Sequence, residues 1–241
     1  MPEPDPRPLE IAFRFGELRE RALHKQLKAL YRPEDGEVEW PVAGAIADLW
    51  SPTVGVIEIQ TRSLGKLRPK IAAYLEAGLN VTVVHPLAIL RTIETWNSDR
   101  TQRLTRRKSP KSERIEGAFR EIGALASYLV HPQFRLVAAL VRETEHRCDD
   151  GKGSWRRQGK SKVDRVLDGQ EGERVFRSWR DYAELLPPSW VQPGTRGDLQ
   201  KALRLTVSEA QSLVSCLKRI GVLEVCGTRG RSQLLRQPTV N

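Results

Sequence analysis

Apolar residues recur at helical spacing in the first part of the chain. Within residues 13–31, Leu23, Leu27 and Leu30 are separated by four and then three positions. This spacing places the three leucines on one stripe of a predicted helix. Pro33 is predicted to end the helix, because a proline biases the residue before it towards extended conformations.

The pattern then changes to apolar and β-branched runs that predict the core of a mixed α/β fold. In chain order, these segments predict a strand, a hairpin turn, a strand, a helix and a strand at residues 38–50, 51–53, 54–61, 66–77 and 79–84. Gly78 is predicted to cap the helix, and Pro86 is predicted to stop the last strand. This order of elements predicts a mixed sheet that is built on a hairpin and flanked by helices.

The pattern is less regular in the middle of the chain. Residues 115–129 predict an amphipathic helix, and residues 134–142 predict a strand. Residues 143–180 are polar and give no assignment. The prolines of residues 187–195 predict a linker.

The last part of the chain has the order helix, helix, hairpin that is typical of a winged helix-turn-helix. Residues 198–205 predict the first helix, and a capping box at residues 206–209 predicts the start of the second, which ends at Gly221. In winged helices the second helix enters the major groove of DNA and the wing touches the backbone. The candidate DNA contacts are Ser208, Gln211, Ser212 and Ser215 on the helix and Arg229 and Arg231 on the wing. The alternative is a winged helix that contacts protein.

Composition narrows the class of protein. The chain has 241 residues, of which 39% are hydrophobic and 29% charged, and this balance allows a packed core. It has no run of 18 apolar residues, and its proline-rich start lacks the features of a secretory signal. Three scattered cysteines without a CxxC pattern favour a reducing compartment over a disulfide scaffold or a zinc site. We therefore expect a soluble cytoplasmic protein with no membrane partner.

The positive charge is unevenly distributed. The formal net charge is +10, and residues 1–98 contribute −1, residues 99–186 +6 and residues 187–241 +5. Such an excess indicates an anionic partner, most commonly nucleic acid. Two dense basic clusters stand out, the second with an aromatic ring that could stack on a base: Arg106, Arg107, Lys108 and Lys111, and then Trp155, Arg156 and Arg157. The alternative is that these residues only solvate the surface.

Two carboxylates face each other in the predicted hairpin. With the turn centred on Thr53, Asp48 and Glu58 are opposite each other and lie about 5 Å apart on one face. Two like charges among apolar neighbours are unfavourable unless something neutralises them, and Mg²⁺ or Mn²⁺ is the simplest candidate. Gln60 points the same way as Glu58, and Glu20, on the core-facing stripe of the first helix, could add a third carboxylate. The alternative is a pair of ordinary exposed acids on a solvated sheet face.

At these residues the sequence resembles the PD-(D/E)XK nuclease superfamily. The resemblance covers residues 13–86 and rests on Glu20, Asp48 and the run Glu58-Ile59-Gln60, followed by a helix and a strand. It implies that Asp48 and Glu58 bind Mg²⁺ with support from Glu20. It also implies a restriction-endonuclease-like sheet and metal-assisted hydrolysis of phosphodiester bonds.

The sequence departs from this superfamily at Gln60, where a lysine is expected. Lys66 and Lys70, one turn apart on the following helix, might supply the missing cation, and Arg62 could help to hold the phosphate. A looser similarity, to uncharacterised bacterial proteins with the same layout, spans most of the chain and implies no activity.

The sequence therefore predicts four segments: a disordered tail at residues 1–12, a nuclease-like domain with a basic extension at 13–186, a linker at 187–195 and a winged helix at 196–241. The predicted function is a metal-dependent nuclease that binds double-stranded DNA. One alternative is a non-enzymatic DNA-binding protein or regulator with an inactive nuclease-like domain, and another is an RNA-directed protein. A homodimer is left open.

Overall fold

A computed structural model of the protein describes residues 22–239, which form six α-helices and ten β-strands. The helices are α1 Ala22–Tyr31, α2 Arg68–Glu76, α3 Ile115–Ile122, α4 Trp179–Ala183, α5 Arg196–Leu203 and α6 Val207–Arg219. The strands are β1 Glu37–Val42, β2 Ala45–Ser51, β3 Gly55–Ile59, β4 Val81–Trp96, β5 Arg103–Lys108, β6 Phe134–Cys148, β7 Ser161–Phe176, β8 Gly194–Thr195, β9 Glu224–Arg229 and β10 Ser232–Arg236. The predicted tail and the first part of the predicted helix at 13–31 lie outside the described residues.

Seven strands of the described range form one mixed sheet, as the sequence predicts. The order is β1-β2-β3-β4-β6-β7, and β5 pairs with the second half of β4. β3, β4 and β6 run parallel, whereas the other neighbours are antiparallel. Successive strand residues point to opposite sides of the sheet, so both faces carry apolar side chains. Helices cover each of the two faces. Val84 packs under Leu23 and Leu27 of α1, and Val83 packs in the core that contains Ile71 of α2 and Phe119 of α3.

The strand predicted at 38–50 is wrong in one respect, since it is two strands. A tight turn at Ala43 and Gly44, both with positive φ, folds β1 back on β2. Positive φ at two successive residues is the geometry of a two-residue hairpin turn. The predicted register of the next hairpin is confirmed, because Leu49 pairs with Ile57 and the residue numbers of each pair have the expected sum.

The prediction that Pro86 stops the third strand is also wrong, because β4 continues to Trp96. Proline lacks an amide hydrogen, and it is tolerated in a strand where no neighbour needs that donor. The Val84 carbonyl accepts a hydrogen bond from the amide of Gln60, just after β3, and the pairing of β3 with β4 ends at Val84. Successive amides alternate between the two sides of a strand, so the nitrogen of Pro86 faces the side where β3 has already ended.

The segment left unassigned at residues 143–180 consists mainly of strand. β6 extends beyond the predicted 134–142 to Cys148, and β7 returns antiparallel to it. The polar residues of β6 form buried ion pairs, whereas β7 is an edge strand in which only Phe176 is fully buried. Glu143 and Glu145 are only 1% exposed and are matched by basic residues on the neighbouring strands. A search for alternating hydrophobic and polar residues therefore does not detect these strands.

The predicted helices have shorter α-helical cores. The helix predicted at 66–77 begins as a 3₁₀ turn at Leu64–Leu67 and continues as α2. Gly78 follows it with φ +73°, as predicted for a C-cap. The helix predicted at 115–129 is α3 followed by a 3₁₀ turn at Gly123–Leu125.

The C-terminal elements pack on the large sheet's helical layer. The predicted helix at 198–205 is α5, which starts two residues earlier, and the predicted capping box of Thr206 and Glu209 opens α6. β8, β10 and β9 form a three-stranded sheet in that order. α6 packs on α3, and the Arg114 guanidinium donates to the Leu203 carbonyl at 2.8 Å. The predicted domain and linker boundaries stay predictions.

Within residues 22–239, no helix has both the length and the apolar character that crossing a membrane requires.

Candidate functional site

Glu58 lies near the end of β3 with its carboxylate buried against α2. Pro69 near the start of α2 favours a helix beginning there. Lys70 and Tyr74 lie four residues apart and therefore on one face of this helix. The Lys70 ammonium is 3.0 and 3.1 Å from the two carboxylate oxygens of Glu58, and the Tyr74 hydroxyl donates to Oε1 at 2.9 Å. Lys70 also donates to the Ile46 carbonyl at 2.6 Å, which ties α2 to β2.

Asp48 lies opposite Glu58, where the backbone pairing of β2 with β3 stops. Its Oδ2 accepts the amide hydrogen of Ile59 at 2.9 Å, so a side chain replaces a backbone acceptor at this point. His24 of α1 places Nε2 3.2 Å from the same Oδ2 and 2.9 Å from the Ile59 carbonyl. The imidazole nitrogen thus lies between two oxygens of neighbouring strands.

The two carboxyl groups are shifted in opposite directions. Burial, followed by the negative charge of Asp48, raises the pKa of Glu58 above its ordinary value despite Lys70 and Tyr74. Burial also opposes ionisation of Asp48, but its hydrogen bonds with His24 and Ile59 outweigh this cost, and the pKa of Asp48 is lowered. The dependence of Glu58 on the Asp48 charge shows that the pair is electrostatically coupled. Opposed shifts in neighbouring acids are typical of sites that need one ionised and one protonatable group.

The oxygens at this position are of the kind that hard cations prefer. Asp48, Glu58 and the Ile59 carbonyl supply oxygen donors, and His24 adds a nitrogen. In the part of the chain that the structure describes, no group of three or more His, Cys, Asp or Glu residues is arranged to hold a metal. Glu20, the predicted third ligand, lies outside the described residues. The donor set of Asp48 and Glu58 therefore fits a divalent ion in part.

Gln60 and the lysines near Asp48 and Glu58 make different contacts. The Gln60 side chain donates to the Arg62 carbonyl, and the buried His85 Nδ1 lies 2.7 Å from the Gln60 carbonyl. Burial lowers the pKa of His85, so it is neutral near pH 7 and holds the end of β3 by donating this hydrogen bond. Lys66 is exposed on the 3₁₀ turn and makes no side-chain hydrogen bond to a described residue. Lys70 is thus the lysine that reaches the carboxylates.

A cluster of basic residues beside this site was not found from the sequence. Glu143 pairs with Arg91 at 2.5 Å and Arg165 at 3.2 Å, and Glu145 pairs with Lys162 at 2.6 Å. Burial lowers the pKa of Lys162, and the charges of Arg62 and Arg91 lower it further. Arg62, two residues beyond Gln60, therefore lies close to this cluster. The sequence did not indicate this cluster, because its residues lie on strands that lack alternating apolar residues.

The first predicted basic cluster lies on the exposed strand β5. Arg106 and Arg103 both pair with the buried Glu94 of β4, at 3.3 and 3.0 Å. Arg107 and Lys108 are exposed and form no ion pair with a described residue, and Lys111 follows the strand. The cluster is thus an exposed edge of the sheet.

The second predicted cluster lies at the tip of the β6–β7 hairpin. Trp155 is 82% exposed, and the Arg156 guanidinium is 5.4 Å from its ring centre. The loop is closed by a hydrogen bond from Gly153 to the Gly159 carbonyl at 2.7 Å. A Cβ on Gly153 would lie 1.9 Å from a backbone oxygen, so only glycine fits. The Arg157 side chain bonds within this loop, and the tip presents Trp155 to solvent.

Three of the predicted contacts on α6 and the following hairpin line a polar groove, namely Gln211, Ser215 and Arg231. Ser208, Gln211 and Ser215 are exposed along one face of α6, whereas Ser212 is partly buried. The groove runs between this face and β10, and its basic residues are Arg196, Lys218, Arg219 and Arg231. Arg196 donates to Gln211, and Arg229 pairs with Asp198 of α5. Arg231 in the hairpin turn makes no side-chain hydrogen bond to a described residue.

Comparison with known proteins gives a family. Residues 21–177 match a family described as "Domain of unknown function (DUF8091)", and the chain belongs to this family. The matched region contains the large sheet with Asp48, Glu58 and the basic cluster.

A relative is described as "Uncharacterized protein" from Treponema pallidum (strain Nichols). It is 30% identical over 228 residues, which covers 91% of this chain and 86% of the relative. The alignment covers a larger share of this chain than residues 1–177 make up, so the similarity extends into the C-terminal elements. No solved structure gives a significant match.

Proposed function

We propose that this protein is a metal-dependent nuclease of the PD-(D/E)XK type that binds duplex DNA. The observation that carries the proposal is the juxtaposition of Asp48 and Glu58 just beyond the last paired residues of β2 and β3, where Asp48 accepts the amide hydrogen of Ile59 at the end of β3. The order α1-β2-β3-α2-β4 supports it, because the resemblance implies a helix, two strands that carry Asp48 and Glu58, a helix and a strand; β1 is an additional strand.

Asp48, Glu58 and the Ile59 carbonyl would hold the ion, with Glu20 as the predicted further ligand. A Mg²⁺ or Mn²⁺ ion supplies Lewis acidity and lowers the pKa of a bound water. The charges of Asp48 and Glu58 support this role, because burial and then the charge of Asp48 raise the pKa of Glu58, and a cation would offset both effects. The ion would either replace the His24 imidazole between Asp48 and Ile59 or bind with His24 as a further ligand.

Lys70 takes the role that lysine at position 60 would have. Its ammonium approaches the site from α2 instead of β3, and it holds Glu58 in the absence of metal. Glu58 would contribute to holding the ion, and Lys70, which contacts Glu58 from α2, would be placed to orient a phosphate or a water. Arg62 and the cluster of Arg91 and Lys162 would then hold the DNA backbone beside the site.

DNA binding is supported by the C-terminal elements. α5, α6 and the β9–β10 hairpin follow one another in the order that the winged-helix prediction requires, and Gln211, Ser215 and Arg231 would then contact the DNA. The exposed Trp155 tip and the β5 edge offer further basic surface.

The test is cleavage of duplex DNA with Mg²⁺ or Mn²⁺ by the wild type and by isosteric variants. Asp48→Asn and Glu58→Gln are each expected to lower the rate by about 100-fold or more, as expected when a group that stabilises the transition state is lost. Glu76→Gln, an exposed acid at the end of the same helix α2, is the matched control and should cleave normally. Cleavage that survives both site substitutions would overturn the proposal.

A second candidate is a DNA-binding regulator whose nuclease-like domain is inactive. Gln60 in place of lysine favours it, as does the ion pair that occupies both oxygens of Glu58. Calorimetric titration of Mn²⁺ separates the two functions. Binding that depends on Asp48 favours the nuclease, and its absence, with DNA affinity retained, favours the regulator.

A further inference from the structure

A polar pocket opens at the edge of the large sheet opposite the carboxylates. Thr53, Thr82 and Arg135 line it at the amino ends of the parallel strands β3, β4 and β6, and Arg177 closes it after β7. Glu58 lies four residues along β3 from the pocket, or about 13 Å at strand spacing. We call this site the amino-end pocket.

The pocket brings two guanidinium groups together without an acidic partner. Arg135 and Arg177 flank the paired residues Leu136 and Phe176 of β6 and β7, so they lie at opposite positions and line the same pocket. In accordance with this placement, burial and then the charge of Arg177 lower the pKa of Arg135. Neither side chain forms a hydrogen bond or an ion pair with a residue between 22 and 239. By contrast, Arg91 and Arg165 of the same sheet are each paired with Glu143. Two unpaired like charges at one place are unfavourable unless an anion joins them.

The nearest carboxylates are already engaged elsewhere. Glu173 attracts Arg135 but accepts the hydroxyl of Tyr31 at 2.8 Å. Asp181 attracts Arg177 but caps α4 by accepting two backbone amide hydrogens at 2.7 Å. Both acids therefore lower the local positive potential without occupying the pocket.

A threonine of the pocket also has a hydroxyl without a partner in the described chain. Thr82 is 8% exposed and lines the pocket, and its hydroxyl makes no hydrogen bond within the described chain. Thr53 is different, because its hydroxyl donates to Asp35 at 2.8 Å. The Gln133 amide is likewise used, on the Gly78 carbonyl at 2.6 Å. The available side-chain donors are therefore those of Arg135, Arg177 and Thr82, together with the exposed amide of Asn80.

We propose that the amino-end pocket binds a phosphate-type oxyanion between Arg135 and Arg177, with Thr82 donating a third hydrogen bond. Guanidinium forks match the spacing of phosphate oxygens, and two of them balance a dianion. A hydroxyl on another strand adds a donor from a further direction, which suits a tetrahedral anion better than a planar carboxylate. The site is separate from Asp48 and Glu58, and the inference does not depend on nuclease activity.

The test is calorimetric titration of the full chain with inorganic phosphate at low ionic strength. One saturable site is expected, weakened about tenfold or more in Arg135→Gln and in Arg177→Gln, which is roughly 1.4 kcal/mol. Thr82→Val should weaken it less. The exposed Arg120→Gln on α3 has the same loss of charge and should bind normally. If Arg135→Gln does not fold, the exposed Arg177 still provides the test.

The absence of saturable binding in the wild type below about 10 mM phosphate would overturn the proposal. Unchanged binding in both arginine variants would overturn it equally. Competition distinguishes the source of the anion. Displacement of phosphate by a short duplex indicates a backbone phosphate, whereas indifference to the duplex indicates a free anion. In either case Arg135→Gln should leave metal binding at Asp48 unchanged.

Discussion

The ammonium of Lys70 contacts both carboxylate oxygens of Glu58, at 3.0 and 3.1 Å. Glu58 has 2% of its side chain exposed, and Lys70 has 34%. The acid is therefore fixed in the interior, while the lysine can reach solvent. This asymmetry makes Lys70 the partner that can leave, and it identifies the ion pair as the competitor of any cation that binds Glu58.

Replacing Lys70 with Met should separate metal binding from catalysis. Without the ammonium, Mn²⁺ competes with no cation for Glu58, so calorimetry should show tighter binding, by about tenfold. If the protein is the proposed nuclease, DNA cleavage should fall by about 100-fold, because the lysine that would face the phosphate is lost. Lys66→Met is the matched control on the adjacent turn and should change neither quantity. Weaker metal binding in Lys70→Met would contradict competition at Glu58.

The opposed shifts of the two acids predict opposite effects on stability. The raised pKa of Glu58 means that its ionisation costs stability, which is lost as the pH rises above the ordinary value of 4.5. Glu58→Gln should remove this loss, so in chelator the variant should gain stability relative to wild type between pH 4.5 and neutrality. The lowered pKa of Asp48 means that its charge stabilises the fold at neutral pH, and this contribution disappears as the pH falls below the ordinary value of 3.8.

Asp48→Asn should accordingly lose about 1 kcal/mol at pH 7, the scale of a weakened charge-assisted hydrogen bond. Its deficit should shrink towards pH 3. Urea unfolding of both variants across pH 3–8 measures these changes. Parallel pH profiles for Glu58→Gln and the wild type would show that Glu58 has no shifted pKa.

Tyr74→Phe tests the hydroxyl that donates to Glu58 Oε1. Its loss removes a buried hydrogen bond to a charged group and should cost about 1.5–3 kcal/mol at pH 7. The cost should be smaller at pH 4, where Glu58 is protonated and needs the donor less. Thermal unfolding at the two pH values measures the difference, and Tyr128→Phe, whose hydroxyl bonds an exposed carbonyl, is the control.

The sequence predicted the hairpin that holds the carboxylates because local signals determine it. The turn after Ser51 sets the register, and the register places Asp48 opposite Glu58. It did not predict that β4 passes through Pro86, because this depends on where β3 ends, a tertiary property. It missed β7 for a related reason. In the sequence, Glu143 and Glu145 of β6 resemble solvent-exposed acids. Their burial depends on ion pairs with Arg91 of β4 and Lys162 of β7, which form only in the folded sheet.

Trp155 should contribute to nucleic-acid binding and little to stability. Its ring is 82% exposed, so Trp155→Ala should change the free energy of unfolding by less than about 0.5 kcal/mol. If bases stack on it, affinity for single-stranded or distorted DNA should fall by about 1–3 kcal/mol. Trp155→Tyr should retain most of the affinity, because it keeps an aromatic face. Equal affinity for the alanine variant and the wild type would exclude stacking.

The hairpin turn between β9 and β10 should contribute a backbone contact that depends on salt. Arg231 is exposed beside the groove of α6 and has no carboxylate partner in the described chain, so its charge is available to a phosphate. Arg231→Gln should weaken DNA binding without changing sequence preference and reduce the log–log salt slope by about 0.9. Lys25→Gln, an exposed lysine on α1, has the same charge change and should leave the slope unaltered. An identical decrease of the salt slope in both variants would indicate a response to net charge. The DNA would then not contact this turn.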